Sequence, residues 1–188
     1  MAVASTMVDV GSPLPPFALR DVAEDELFTA DSFPGRVLVV VFLCRHCPYV
    51  QRIASGLAAF GADMAGSDVS VVGIASNDVS AHPEDAPDSL AEFALQQGIS
   101  FPILFDEDQS AAKAFQAACT PDFFVYGPDR TLAYRGQFDR ARPSNDVPAD
   151  GASLRAAVDA VLAGRPVPEP QVPSLGCSIK WKPGNEPG

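Results

Sequence analysis

Positive charge is scarce in this sequence. Thirteen Lys and Arg stand against 24 Asp and Glu, a formal net charge of −11 in 188 residues. A surface of that sign repels phosphate backbones and anionic headgroups, which argues against nucleic acid and against a membrane surface as partners. No run approaches the roughly eighteen apolar residues that span a bilayer. The opening MAVASTMVDV has no basic n-region and no long apolar h-region, so no signal peptide is read and a cytoplasmic location is expected. There structural disulfides rarely persist. Cysteine is also sparse: four residues are too few for a disulfide scaffold. No internal repeat is present.

What is present is a core-forming composition, 47% hydrophobic, enough for one domain with extensions. Residues 1–16 form an extended, proline-rich lead-in, and the domain is expected over 17–164. Phe17–Leu19 and Leu27–Thr29 suggest a hairpin around the acidic turn 21–26. Val37–Phe42 carries no polar alternation, so both its faces should be covered. Val50, Ile53, Leu57, Phe60 and Met64 then recur at spacings of 3 and 4, one helix face after Pro48.

Val69–Ala75 reads as a second buried strand. Ser76–Asp88, with the acidic run PEDAPD, reads as a solvated loop, and Ser89 to Glu92 has the capping-box spacing for a helix ending at Gly98. Phe101–Phe105, a short helix 110–118, the hairpin Asp122–Tyr126 with Thr131–Arg135, and a last helix 152–163 complete the domain. Residues 165–188 hold six prolines and no periodicity, an irregular tail that packs on the domain. The order implies a three-layer α/β/α domain with a mixed central sheet.

The chemistry concentrates at Cys44-Arg45-His46-Cys47. A bridge between Cys44 and Cys47 closes so small a loop that it stabilises little, so reversible redox chemistry is the better reason for the pair. A strand that delivers two thiols to a helix start is a redox arrangement. Cys44 is expected to be the exposed thiolate, its pKa lowered by the helix N-terminus, by Arg45 and by His46. Cys47, one turn in, is expected to be less exposed and higher in pKa. Cys44 would then attack a substrate disulfide and Cys47 would resolve the mixed disulfide, with an oxidising tilt. A zinc or Cu(I) module using Cys44, Cys47 and His46, perhaps with Cys119, is the alternative from another class. The absence of a second CxxC weighs against zinc, and the reading calls for no metal and no cofactor.

CRHC between a strand and a helix, with Thr120-Pro121 before a later strand, resembles the thioredoxin superfamily. The proline-rich lead-in and the extra strand and helix are similar to the branch shared with peroxiredoxins, which includes thiol-specific antioxidant proteins. CRHCPYV, ACTPDFF, YRGQFD and GCSIKWKPGNEP resemble a group of uncharacterised bacterial thioredoxin-like proteins over nearly the whole chain. The resemblance implies a cis Pro121 against the cysteine pair, Thr120 offering its backbone to an added substrate strand, and protein or small-molecule disulfides with a redox partner protein as partners.

Two departures matter. Cys47-Pro48 matches the peroxide-attacking cysteine of peroxiredoxins, but Cys44 stands at the Thr/Ser position and the strand after Pro121 offers no arginine. Arg135 or Arg140 would have to substitute, so a thiol peroxidase is the second reading. The strand 37–42 also lacks the buried Asp of thioredoxins, leaving His46, Asp78, Asp122 or water for proton transfer. Cys119 is expected near the pair, and Cys177 either pairs with Cys119, resolves Cys44, or packs under Trp181. Trp181 is read as an anchor for the tail, and His82 as a surface residue.

Overall fold

The computed structural model describes residues 2–187. In chain order its strands and α-helices are β1 (Ala2–Ala4), β2 (Ala18–Asp21), β3 (Leu27–Thr29), β4 (Val37–Phe42), α1 (Pro48–Met64), β5 (Val69–Ala75), α2 (Pro87–Gln97), β6 (Ile103–Phe105), α3 (Ser110–Phe115), β7 (Cys119–Thr120), β8 (Asp122–Tyr126), β9 (Leu132–Gly136), α4 (Ala152–Leu162) and β10 (Leu175–Ser178). None of the helices is long and apolar enough to cross a membrane, among the described residues.

β4 is buried at every position because it lies inside a seven-stranded sheet of order β3-β2-β6-β5-β4-β8-β9. It runs parallel to β5 on one side and antiparallel to β8 on the other. Its side chains alternate between two cores. Val37, Val39 and Val41 pack with Val50, Ile53, Leu57 and Phe60 of α1 and with α2 and α4. Leu38, Val40 and Phe42 pack on the opposite face with Phe115 of α3 and Ile179 of the tail. Each such side chain contributes roughly 1.5–3 kcal/mol on burial, which fixes the end of β4, and the cysteines after it, in place. The thioredoxin-like α/β fold with a mixed sheet is therefore as expected.

Local readings needed three corrections. α2 begins at Pro87, with Ala86 as its N-cap, so Ser89 is not the cap. Proline, without an N–H, starts a helix as well as a capping serine does. α3 stops at Phe115 and not at Ala118, because Gln116 turns left-handed, and its buried residues are Ala111, Ala112 and Phe115.

The third correction concerns the tail, which is not irregular throughout. β10 is the middle strand of a second, three-stranded sheet, β1-β10-β7. Ala2 pairs with Cys177 on one side, and Cys177 with Thr120 on the other. Beyond β10, the Ile179 amide donates to the Ala118 carbonyl, and Trp181 packs against the second core.

Candidate active site

Leu43 leaves the sheet with its N–H still bonded to the Ile74 carbonyl, and the next three residues form the turn into α1. Cys47 is the N-cap of that helix and Pro48 its first residue. Thr120-Pro121 is cis and meets both sulfurs. Cys44 Sγ lies 3.1 Å from Thr120 Oγ1, and Cys47 Sγ 3.1 Å from the Thr120 carbonyl oxygen. Cys44 and Cys47 are 1% and 0% exposed. The expected exposed nucleophile is thus covered in this structure.

The electrostatics also differ from expectation, for a geometric reason. Pro48 at the first helical position makes Cys47, not Cys44, the residue toward which the free N–H groups point. The Arg45 guanidinium turns away, to the Ser89 carbonyl at 3.3 Å and Glu92 at 3.0 Å. His46 Nδ1 is held at 2.6 Å by Asp85. Cys44 is consequently pushed above the ordinary thiol range, by its hydrogen bond with Cys47, by burial and by the Asp85 carboxylate. Cys47 is held below that range by hydrogen bonds from Cys44, and, against burial, from Cys177 and the N–H groups of Val50 and Cys177. The Thr120 carbonyl is the neighbour that favours a protonated Cys47. The pair shares its first negative charge through Cys47, the reverse of the sequence-based assignment.

Asp85 is the residue that the sequence reading missed. It lies in the acidic run taken for a solvated loop, yet it is 1% exposed. Its carboxylate accepts from the Arg45 N–H at 2.8 Å, the His46 N–H at 3.2 Å, His46 Nδ1 and Asn77 Nδ2 at 2.8 Å. His82 stacks on His46 with centroids 5.1 Å apart, so it belongs to the rim of the site and is not a lone surface residue. Asn77 Oδ1 accepts from the Lys180 N–H, which ties the same network to the tail. No signal in the sequence marks Asp85 among its acidic neighbours; only its contact with residues 45 and 46 does.

The other expected site residues are placed as follows. Cys119 is buried, its thiol pushed up by desolvation and by Asp122, and it lies 3.7 Å from the Pro121 carbonyl. Asp122 is fully buried and neither carboxyl oxygen has a hydrogen-bond partner. The nearby Ser174 hydroxyl donates instead to the Gly136 carbonyl. Burial pushes Asp122 up to about 8. Asp78 is tied to Ser80 in its own loop. Arg135 binds Glu169 and Gln171, and Arg140 is exposed; neither is bonded to a cysteine. Cys177 stands opposite Thr120 in the strand pairing, near both Cys47 and Cys119.

Thr120 does not offer a free edge. Its backbone is already paired with Cys177 of β10, so the expected strand addition by a substrate is blocked by the chain itself. Three large clefts, about 670, 490 and 480 Å³, lie around β2 and β6 and between α1 and the start of α4, and none is lined by a cysteine. Two groups of metal-type donors occur among the described residues, Cys44 with His46 and Asp85, and His46 with His82 and Glu84. The set Cys44, Cys47 and His46 is not among them, and Asp85 already has its protein donors, so the residues present do not fit the expected metal module.

Two cysteines at the start of a helix, each with its sulfur bonded to Thr120 of a cis Thr-Pro, define a thiol-redox protein of thioredoxin fold. A thiol:disulfide interchange protein of Chlorobium tepidum shares that fold, with a TM-score of 0.64 at 19% identity, over 82% of this chain and 98% of that one. Residues 10–135 match the AhpC/TSA family, and the chain belongs to it. A Mycobacterium tuberculosis protein that bears the name peroxiredoxin is 28% identical over 113 residues, 60% of this chain and 67% of its own. An uncharacterised conserved protein of Geobacillus kaustophilus is 45% identical, with a TM-score of 0.95 over 98% of both chains.

Proposed function

We propose that the protein is a thiol–disulfide oxidoreductase whose working couple is Cys44 and Cys47. The observation that carries this reading is that both sulfurs meet Thr120 at the cis Thr-Pro, with no arginine hydrogen-bonded to either among the described residues. Peroxide cleavage needs a cation to take up the charge developing on the leaving oxygen. Disulfide exchange needs only a thiolate, an in-line sulfur and a second thiol.

In this reading Cys44, when uncovered, passes its proton to the Cys47 thiolate, attacks one sulfur of a substrate disulfide and expels the other half as a thiolate. That thiolate takes the proton from Cys47, which then attacks Cys44 and releases the second half as a thiolate. Because the Thr120 edge is filled, the substrates that fit are small or flexible disulfides, not chains that must add as a strand. The part of the oxidising tilt inferred from Arg45 loses its support, since its guanidinium is bound to Glu92; His46, tied to Asp85, keeps a ring nitrogen within 4.8 Å of Cys44 Sγ.

Thiol peroxidase is the second reading, favoured by membership of the AhpC/TSA family and by Cys47-Pro48 at the helix N-terminus. Cys47→Ser is expected to trap mixed disulfides through Cys44, and Cys44→Ala to abolish exchange. Stopped-flow mixing with hydrogen peroxide is expected to oxidise the pair slowly. Rapid peroxide consumption that survives Cys44→Ala would replace the first reading with the second.

A further inference from the structure

The tail strand occupies the place where this fold receives a substrate chain. β10 runs antiparallel to β7 with Cys177 opposite Thr120 and Ser178 opposite Cys119. Gly176 crosses the Thr120-Pro121 peptide so closely that a Cβ there would lie 2.0 Å from the Thr120 carbonyl oxygen. β1 covers the other edge of β10, and the Ser5 N–H bonds the Ser174 carbonyl. Lys180 is fixed through Asn77 and Asp78. This is a built seat for the segment 174–180.

Its consequence is a row of three sulfurs. Cys44 Sγ and Cys47 Sγ each lie 3.1 Å from an atom of Thr120, Cys177 is the strand partner of Thr120, and it packs against the cluster that holds both cysteines. Cys44 and Cys47 are sealed, whereas Cys177 is half-buried and reaches the surface. We propose that Cys177 is a third redox thiol: the tail holds it where a substrate cysteine would lie, and it takes over the disulfide from the buried couple to present it to an external thiol. The proposal rests on the Cys44–Cys47 couple of the preceding reading.

The steps balance. In the oxidised protein the Cys177 thiolate attacks Cys47 Sγ, the Cys44–Cys47 bond breaks, and Cys44 leaves as a thiolate that takes up the proton Cys177 lost. The new Cys47–Cys177 bridge lies at the surface. An external thiolate attacks Cys177 Sγ and frees Cys47, and a second external thiol then releases Cys177 and departs as the external disulfide. The sum is two thiols oxidised to one disulfide and one protein disulfide reduced to two thiols.

The surroundings give the relay a direction. In the reduced protein burial and the charge on Cys47 push the Cys177 thiol up to about 11. Once Cys47 is bonded to Cys44 that charge is gone, while Lys180 still favours the Cys177 anion. Burial opposes the Cys177 anion in both states, and oxidation of the couple removes the further opposition from Cys47.

All four cysteines fall in different tryptic peptides, since Arg45, Arg52, Lys113, Arg130, Arg155 and Lys180 separate them. The full-length Cys44→Ser variant, oxidised with diamide and mapped without reduction, is expected to give the Cys47–Cys177 bridge as its main product. Cys47 that stays free, or that bridges to Cys119, overturns the proposal. Oxidised Cys177→Ser protein mixed with reduced glutathione is expected to lose its Cys44–Cys47 bridge about tenfold more slowly than the wild type; a rate within about threefold overturns it. If the wild type forms no Cys44–Cys47 bridge under excess diamide, it is the couple itself that fails, and the Cys44→Ser map still decides on Cys47–Cys177.

Discussion

The thiol pair has two flanks, each with one buried aspartate, and they are built in opposite ways. On the loop side Asp85 is surrounded by donors: two backbone N–H groups, an imidazole and an amide. On the cis-proline side Asp122 has none for either oxygen. The first flank is held by a satisfied charge that fixes the 45–46 turn, with a His46 ring nitrogen within 4.8 Å of Cys44 Sγ and the Arg45 guanidinium drawn off to Glu92. The second flank is held by the pairing of β7 against β10, with Ser174 and Lys180 tied at its ends, and its aspartate is driven toward its neutral form. Charge that would otherwise tune a thiol is used for architecture on one side, and architecture supplies the third thiol on the other.

The sharpest way to break this contrast is Asp85→Ala. It leaves the Arg45 and His46 amides, the His46 ring and Asn77 without their acceptor in a buried place, and urea unfolding is expected to show a loss of about 3–5 kcal/mol. Asp85→Asn keeps the shape, loses the charge and is expected to lose less. Because the Asp85 carboxylate raises Cys44, either variant should also lower the pH at which Cys44 is alkylated. An unchanged alkylation profile in a folded variant would detach Asp85 from the thiol chemistry.

Asp122→Asn addresses the other flank. Asp122 titrates at about 8 when folded, against 3.8 as its ordinary value. Between those values the folded protein holds a proton that the unfolded chain has released. Stability is therefore greatest below the lower value and falls as pH rises toward 8. Asp122→Asn, neutral throughout, is expected to flatten that slope and to be more stable than the wild type at pH 8, by on the order of 3 kcal/mol. Thermal unfolding from pH 4 to 8 checks it; an equal slope in both proteins counts against a protonated Asp122.

Gly176→Ala acts on the backbone pairing. A methyl group cannot fit above the Thr120 carbonyl, so β10 must lift from β7, at a cost of about 1–3 kcal/mol. Every 1.4 kcal/mol lost from that docking raises the open fraction about tenfold. The rate at which iodoacetamide labels Cys44 and Cys47 should rise accordingly. If labelling stays at the wild-type rate, β10 is not what covers the couple.

These flanks also mark how far the sequence could be read. β4, the periodic face of α1, the Cys44–Cys47 spacing and the Thr120-Pro121 turn are local or strongly periodic, and all appear as expected. Pro48 even carried the information that Cys47 is the N-cap, because proline belongs at the first helical position. Asp85 and β10 were not legible for the same reason as each other. Each acts through a partner far away in the chain, and neither PEDAPD nor LGCS has the apolar alternation that announces a contact. Helix α2 starts three residues earlier than its capping-box spacing suggests, with Ala86 and not Ser89 as N-cap, because Pro87 and Ser89 both carry start signals and proline prevailed.

Arg45→Ala has the smallest expected effect and discriminates between the two accounts of the cysteines. Were the guanidinium beside a sulfur, its loss would raise the thiol titration markedly. It lies instead against Glu92 in a partly exposed pair, with side chains 31% and 56% exposed. Such pairs contribute roughly 0–1 kcal/mol. The cysteine titration, followed by thiolate absorbance or by alkylation rate, is expected to move by less than about half a pH unit, and the small change that remains should come from freeing Ser89 and α2 rather than from the sulfur. A shift of about one unit or more would return Arg45 to the role its place in the sequence suggested.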